Sequence, residues 1–163
     1  MQWENIPSVS GNEVYHLSDN NKQILSLSYH PFSNSARVDY ENEKRVFLIR
    51  REGFRRNKTI VRNEYGVKVC ELGTDNGRNF IHVNDERFYY NMHPENGGEI
   101  KIYRENETNP MIVCGLNQSN GEPTIEIQND KNLVHGIHPG LLIALCLYMN
   151  LPVSTLKLEG AAV

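Results

Sequence analysis

The sequence is poor in cysteine. It has three, Cys70, Cys114 and Cys146, far apart and odd in number. That excludes a disulfide framework and suits a reducing, cytosolic setting. The start, Met1-Gln2-Trp3-Glu4-Asn5, shows neither a basic region nor an apolar run, so it does not read as a secretory signal. The Asn-x-Ser/Thr triplets at Asn57, Asn106 and Asn117 therefore read as chance in an Asn-rich chain. Excess charge is also missing: the formal net charge is -3 over 163 residues, which names no partner. No G-x-S-x-G, P-loop, EF-hand or dinucleotide fingerprint occurs. No catalytic set emerges, and the expectation is a protein that is not an enzyme and needs no cofactor.

A bilayer-spanning run is absent too. The most apolar stretch, Leu141 to Met149, has no charged residue. Pro139 suits a first helical position, and Asn150 and Pro152 suit a stop, which predicts a helix over 139–150. At roughly 17 Å it falls short of a ~30 Å hydrocarbon core, so no transmembrane segment is expected. A helix that is apolar on every side must be buried all round, here by protein.

What surrounds it reads as β-strand. Residues 1–12 form a lead-in, with Trp3 and Ile6 as surface-packing candidates. Residues 13–128 carry strand signals about every ten residues. Leu25, Leu27 and Tyr29 alternate with Ser26 and Ser28, the period of a half-buried strand. Val46-Phe47-Leu48-Ile49 is apolar on both faces, as where a strand is covered outside as well. Asn76-Gly77 and Asn120-Gly121 signal tight turns. Further turns fall at Glu41-Asn42-Glu43 and Pro94–Gly98. Residues 129–137 form a polar loop, Ser154–Leu158 suits a last strand, and 159–163 is a loose tail. A weak repeat sets Phe47, Ile60 and Val69-Cys70-Glu71-Leu72 against Phe88, Ile102 and Val113-Cys114-Gly115-Leu116. The fold class is mainly β: a single domain, a closed antiparallel barrel of roughly 11–12 strands wrapped around one C-terminal hydrophobic helix. The rival is a β-sandwich or lipocalin-like barrel with the helix packed outside.

About eleven short strands, then a single apolar helix, resembles the tubby C-terminal-like superfamily. The residues that carry the likeness are Gly140 through Tyr148, notably Leu142-Ile143-Ala144-Leu145-Cys146-Leu147. The turns Tyr65-Gly66-Val67, Gly97-Gly98-Glu99-Ile100 and Asn120-Gly121 add to it. The short chain fits the LURP-one-related and phospholipid scramblase branch best. The resemblance implies a non-enzymatic domain, peripheral to a membrane and binding lipid headgroups. No phosphoinositide-binding motif of the family lines up with residues here.

One charge anomaly stands out. Lys44, Arg45, Arg50, Arg51, Arg55, Arg56, Lys58 and Arg62 face only Glu52 between positions 44 and 62, about +7; the rest has 9 basic against 19 acidic residues. Arg50, Arg51, Arg55, Arg56, Lys58 and Arg62 are the candidate anionic-ligand site. Arg50-Arg51 and Arg55-Arg56 flank Gly53-Phe54 at a hairpin tip, where guanidinium groups can grip phosphate bidentately and Phe54 can enter an interface. The bland alternative is a solvated hairpin balanced by acids on adjacent strands. The partners considered are anionic membrane lipids or a protein; the acidic remainder argues against nucleic acid. An apolar ligand beside the helix is the other reading, with Leu142, Leu145 and Tyr148 lining empty space. His135-x-x-His138 would need His93 or Glu122 to hold a metal, and reads as loop histidines, so no metal is expected. Asp39, Glu41 and Glu43 read as a solvated strand and turn. The three cysteines read as inert, buried small hydrophobes.

Overall fold

The computed structural model of the protein describes residues 2–6, 8–40, 43–93, 98–117, 122–127 and 139–150. The strands are β1 (Gln2–Ile6), β2 (Glu13–Asp19), β3 (Lys22–His30), β4 (Ser35–Tyr40), β5 (Glu43–Glu52) and β6 (Lys58–Asn63). They continue with β7 (Lys68–Asp75), β8 (Arg78–Val83), β9 (Glu86–His93), β10 (Glu99–Arg104), β11 (Ile112–Asn117) and β12 (Glu122–Ile127). One 3-10 turn, Phe54–Arg56, lies between β5 and β6, and one helix, α1, spans Pro139–Asn150.

Local chemistry sets the hairpins. At Asn20-Asn21 and at Asn76-Gly77, both central residues take positive φ, the geometry of a two-residue type I′ turn. Asn tolerates that region better than other side-bearing residues. These turns lock Asp19 opposite Lys22 and Asp75 opposite Arg78. Strand alternation then selects the buried face. Leu17 faces Leu25, Leu27 faces Val38, Ile49 faces Val61, and Leu72 faces Ile81.

The result is one antiparallel sheet in which each strand from β2 to β12 pairs with its neighbours in chain order. β1 pairs with β2 over Gln2–Ile6 and with β12 at Gln2↔Thr124. The β1–β12 contact is a single registered pair, where most other seams hold five or more.

Gly140 to Leu147 are all buried, as is Met149. They share one core with inward residues of β2 through β11, among them Leu17, Leu27, Val38, Ile49, Val61, Ile81, Phe88, Ile102 and Cys114. Fully burying one such side chain stabilises by about 1.5–3 kcal/mol, which is why the apolar helix is held from all sides. Its end is fastened by Asn150, whose Nδ2 donates to the Cys146 carbonyl at 3.1 Å. A Cβ at Gly98 would come within 2.7 Å of Asn150 Oδ1, so the strand entering β10 must approach as glycine.

The helix bounds are those the sequence predicts, Pro139 to Asn150. The lead-in is corrected: residues 2–6 form β1, whose sequence QWENI has no apolar alternation and is recruited by pairing with β2. The double-covered reading of β5 is also corrected. Val46 is exposed and Leu48 half-buried, so the outer face there meets solvent. At the middle position of the repeat Ile102 and Ile60 are both buried, but Ile60 sits opposite Arg50 and Glu71, and Val61, opposite Ile49, takes the inward place. The turns at 41–42, 94–97 and 120–121, the 129–137 loop, the Ser154–Leu158 strand, Pro152 and the 159–163 tail lie outside the described residues, as does the Trp3 side chain.

Candidate functional site

The candidate basic site sits on the β5–β6 hairpin. Gly53 takes φ 86°, and a Cβ there would come within 2.7 Å of Asn57 Oδ1. The chain therefore turns sharply at a position that only glycine fits. Arg55 follows with φ 58°, in the left-handed region. This turn thrusts Phe54 outward, where it is 81% exposed, and Arg55 is exposed beside it with its guanidinium 5.3 Å from the Phe54 ring centroid.

The described candidate side chains do not form one patch. Lys58 Nζ meets Glu71 Oε1 at 2.7 Å. Lys68 reaches the other oxygen of Glu71 at 3.0 Å, and together the two lysines hold that carboxyl below its usual range. Arg62 makes a forked contact to Glu52 at 3.1–3.3 Å and also donates to the Gly66 carbonyl. Both pairs lie on the outer face, and the acids come from the hairpin itself or the next strand. Arg50 donates from Nη1 to the Ser33 carbonyl at 2.9 Å and to the Ile49 carbonyl at 3.2 Å.

Arg51 has the opposite parity, since it follows inward Ile49 by two. Its charge acts on the Tyr148 hydroxyl at the end of the helix, lowering a pKa that burial raises. A cation there also complements the negative end of the helix dipole. The Arg56 side chain lies outside the described residues. Lys44 and Arg45 lie toward the opposite end of β5, where Arg45 pairs with Glu43 at 3.3 Å. Only Arg55, among the described candidates, stands at the exposed tip.

The Arg50 contact draws in residues 31–34, which the sequence marks as a turn but not as part of a site. The β3–β4 turn, residues 31–34, carries Phe32, 98% exposed. It is stitched to β5 by two further bonds and to β3 by a third. Ile49 N donates to the Asn34 carbonyl at 3.0 Å, Asn34 Nδ2 donates to the Ile49 carbonyl at 2.7 Å, and Tyr29 donates to Asn34 Oδ1 at 2.6 Å. The available signal was a large aromatic inside the turn Pro31-Phe32-Ser33-Asn34.

The remaining candidates carry less. The thiols are buried and unbridged. Burial pushes Cys70 up to about 12, and a hydrogen bond with Cys114 plus burial raises Cys146 well above its usual value. Among the described residues no three His, Cys, Asp or Glu side chains converge as a metal would need. His135 and His138 lie outside the described residues, as does the Glu122 side chain. An open hollow of about 810 Å³ lies at the opposite end, its wall mixing Asp19, Asp39 and Glu43 with Lys22 and Lys44. Asp39 Oδ1 is buried there with no hydrogen bond, 3.7 Å from Arg37 Nε. No helix among the described residues is long and apolar enough to cross a membrane. No family model, no curated protein and no solved structure matches this chain.

Proposed function

We propose that this chain is a non-enzymatic binding module that attaches to anionic lipid headgroups or phosphate groups through its β5–β6 hairpin. One observation carries the reading. The tip sets exposed Arg55 beside exposed Phe54, with Arg56 next in the chain and no acidic residue from Gly53 to Asn57. Guanidinium groups suit phosphate because their forked donors match its oxygens. Each basic residue near an anionic surface adds about 1 kcal/mol. Lys58 and Arg62, being paired with Glu71 and Glu52, contribute less than the run of basic residues implies.

The closed, tubby-like form of the sheet belongs to the same proposal. Its support is the Gln2↔Thr124 pair and a helix buried on every side. A cytoplasmic site of action, peripheral to the membrane, agrees with three buried, unbridged thiols. The apolar-carrier reading is disfavoured, because Leu142 and Leu145 pack within the core and the Tyr148 ring rests against Tyr29.

The test is co-sedimentation with neutral and with phosphatidylserine-containing vesicles, at low salt and at ~0.15 M salt. Wild type is expected to bind the anionic vesicles alone, more weakly at the higher salt. Arg55→Ala/Arg56→Ala is expected to bind roughly thirtyfold less tightly. Lys58→Ala/Arg62→Ala is expected to lose less, since both residues already have carboxylate partners. Competition by a soluble inositol polyphosphate separates a free phosphate ligand from a lipid surface. No binding by wild type to anionic vesicles or to polyphosphate ends the proposal.

A further inference from the structure

Antiparallel connections alternate between the two ends of the sheet, so the topology sorts the turns into two groups. At one end lie the loop 8–12 and the turns 31–34, 53–57 and 76–77, with Gly98 just before β10. Among the described residues between strands, this end carries Arg55 and Arg56 and no acid. At the other end, the turns 64–67, 84–85 and 105–111 carry Glu64, Asp85, Glu105 and Glu107 and no base. The described turns thus carry opposite charge at the two ends, although the net charge is only -3.

Three strongly exposed apolar residues stand at the basic end. Val9, Phe32 and Phe54 occupy the tips of three connections at the basic end. These connections join β1 to β2, β3 to β4, and β5 to β6, six strands that are neighbours in order. Strands ~4.8 Å apart place alternate tips ~10 Å apart. The two aromatic tips are joined rigidly, through Arg50 to Ser33 and through Asn34 to Ile49. The third tip is shaped by Ser10, whose hydroxyl bonds with Ser8 and accepts from Asn12 on either side of Val9. The acidic end exposes Tyr65, to the same degree as Phe54, and Val67, but there Glu64 stands beside them in the same turn.

We infer that this end docks on an anionic membrane with its tips inserted, Phe32 and Phe54 entering the headgroup and acyl boundary and Val9 resting beside them. The inference rests on the proposed anionic-surface function and adds an orientation and an apolar component to it. The occupant is a lipid surface because three apolar tips stand around a basic turn with no acid among them, while the acidic end points away from the same surface. Such a contact combines buried apolar area with electrostatic attraction. Its apolar part survives salt that screens the arginines.

The experiment places tryptophan at Phe32→Trp, at Phe54→Trp and, as the opposite-end control, at Tyr65→Trp. Wild type is measured in parallel to account for Trp3. Vesicles contain phosphatidylserine with a bromolipid quencher. Blue-shifted, quenched emission from positions 32 and 54 but not from 65 is the expected result. Phe32→Ala/Phe54→Ala is expected to weaken binding to these vesicles at least about tenfold, with the salt dependence kept. Binding that persists with no quenching at 32 and 54 overturns the insertion and leaves the electrostatic reading standing. Equal quenching at 65 overturns the orientation. Failure of wild type to bind anionic vesicles at low salt overturns the function and the insertion together.

Discussion

The ring of Tyr148, in the last turn of the helix, meets the ring of Tyr29 on β3 edge-on, with centroids 5.6 Å apart and planes at 64°. This contact fastens the helix end to the sheet. Burial, and then the neighbouring Tyr148 and Glu13, push the Tyr29 hydroxyl up to about 12. Tyr148→Ala removes a large, mostly buried ring and is expected to destabilise by about 3 kcal/mol. Tyr148→Phe keeps the ring contact and is expected to cost less than about 1 kcal/mol. Urea midpoints of the two variants check this; equal midpoints would mean that the ring contact contributes nothing.

Asn34 has φ 52° and links the Tyr29 hydroxyl to the Ile49 carbonyl. Asn34→Ala loses both side-chain bonds and leaves a less tolerant residue at positive φ, for an expected cost of about 2–3 kcal/mol. Asn34→Gly loses the same bonds but accepts the backbone, so it is expected to recover about 1 kcal/mol of that. Thermal denaturation ranks the variants. An alanine form as stable as the glycine form would show that the backbone strain is not felt.

A thiol held near 12, as at Cys70, leaves about one thiolate in ten thousand at pH 8. All three cysteines are buried, so the native protein is expected to react negligibly with a disulfide reagent, and three equivalents are expected after unfolding. Prompt release from any one thiol in the native state would contradict the buried environment.

The Glu71 carboxyl is depressed by hydrogen bonds from Lys58 and Lys68. Its stabilising contribution is therefore complete above the unfolded value near ~4.3 and is lost as pH falls through the lower folded value. Both lysines are about half exposed, which limits the effect to less than about 1 kcal/mol. Glu71→Gln is expected to be less stable than wild type at pH 7, by a gap that narrows at pH 3. Denaturant titrations at both pH values test the sign; a gap that widens on acidification would reverse it.

Much of the architecture was legible because it rests on local rules. Pro139 and Asn150 bound the helix where they stand, since one lacks only an N–H that the helix does not need and the other closes the last carbonyls. The alternation of Leu25, Leu27 and Tyr29 selects the inward face of β3. β1 escaped notice because QWENI has no such alternation and depends on its partner strands. Six basic residues lie close in sequence, but strand parity there is ambiguous, so the sequence did not decide whether they share one patch. Parity sends Arg51 inward, and register brings Glu71 to Lys58 from a strand beyond the hairpin.

By itself, the sequence determined a helix with no polar face and a succession of short strands joined by asparagine and glycine turns. These are consequences of side-chain solubility and backbone sterics acting within a few residues. Which charges stay unpaired, and which end of the molecule they reach, only the tertiary structure decided. An ion pair such as Lys58–Glu71 needs two strands to lie side by side in register. The separation of Arg55 and Phe54 from Glu64 and Asp85 needs antiparallel order, because it sends successive turns to opposite ends.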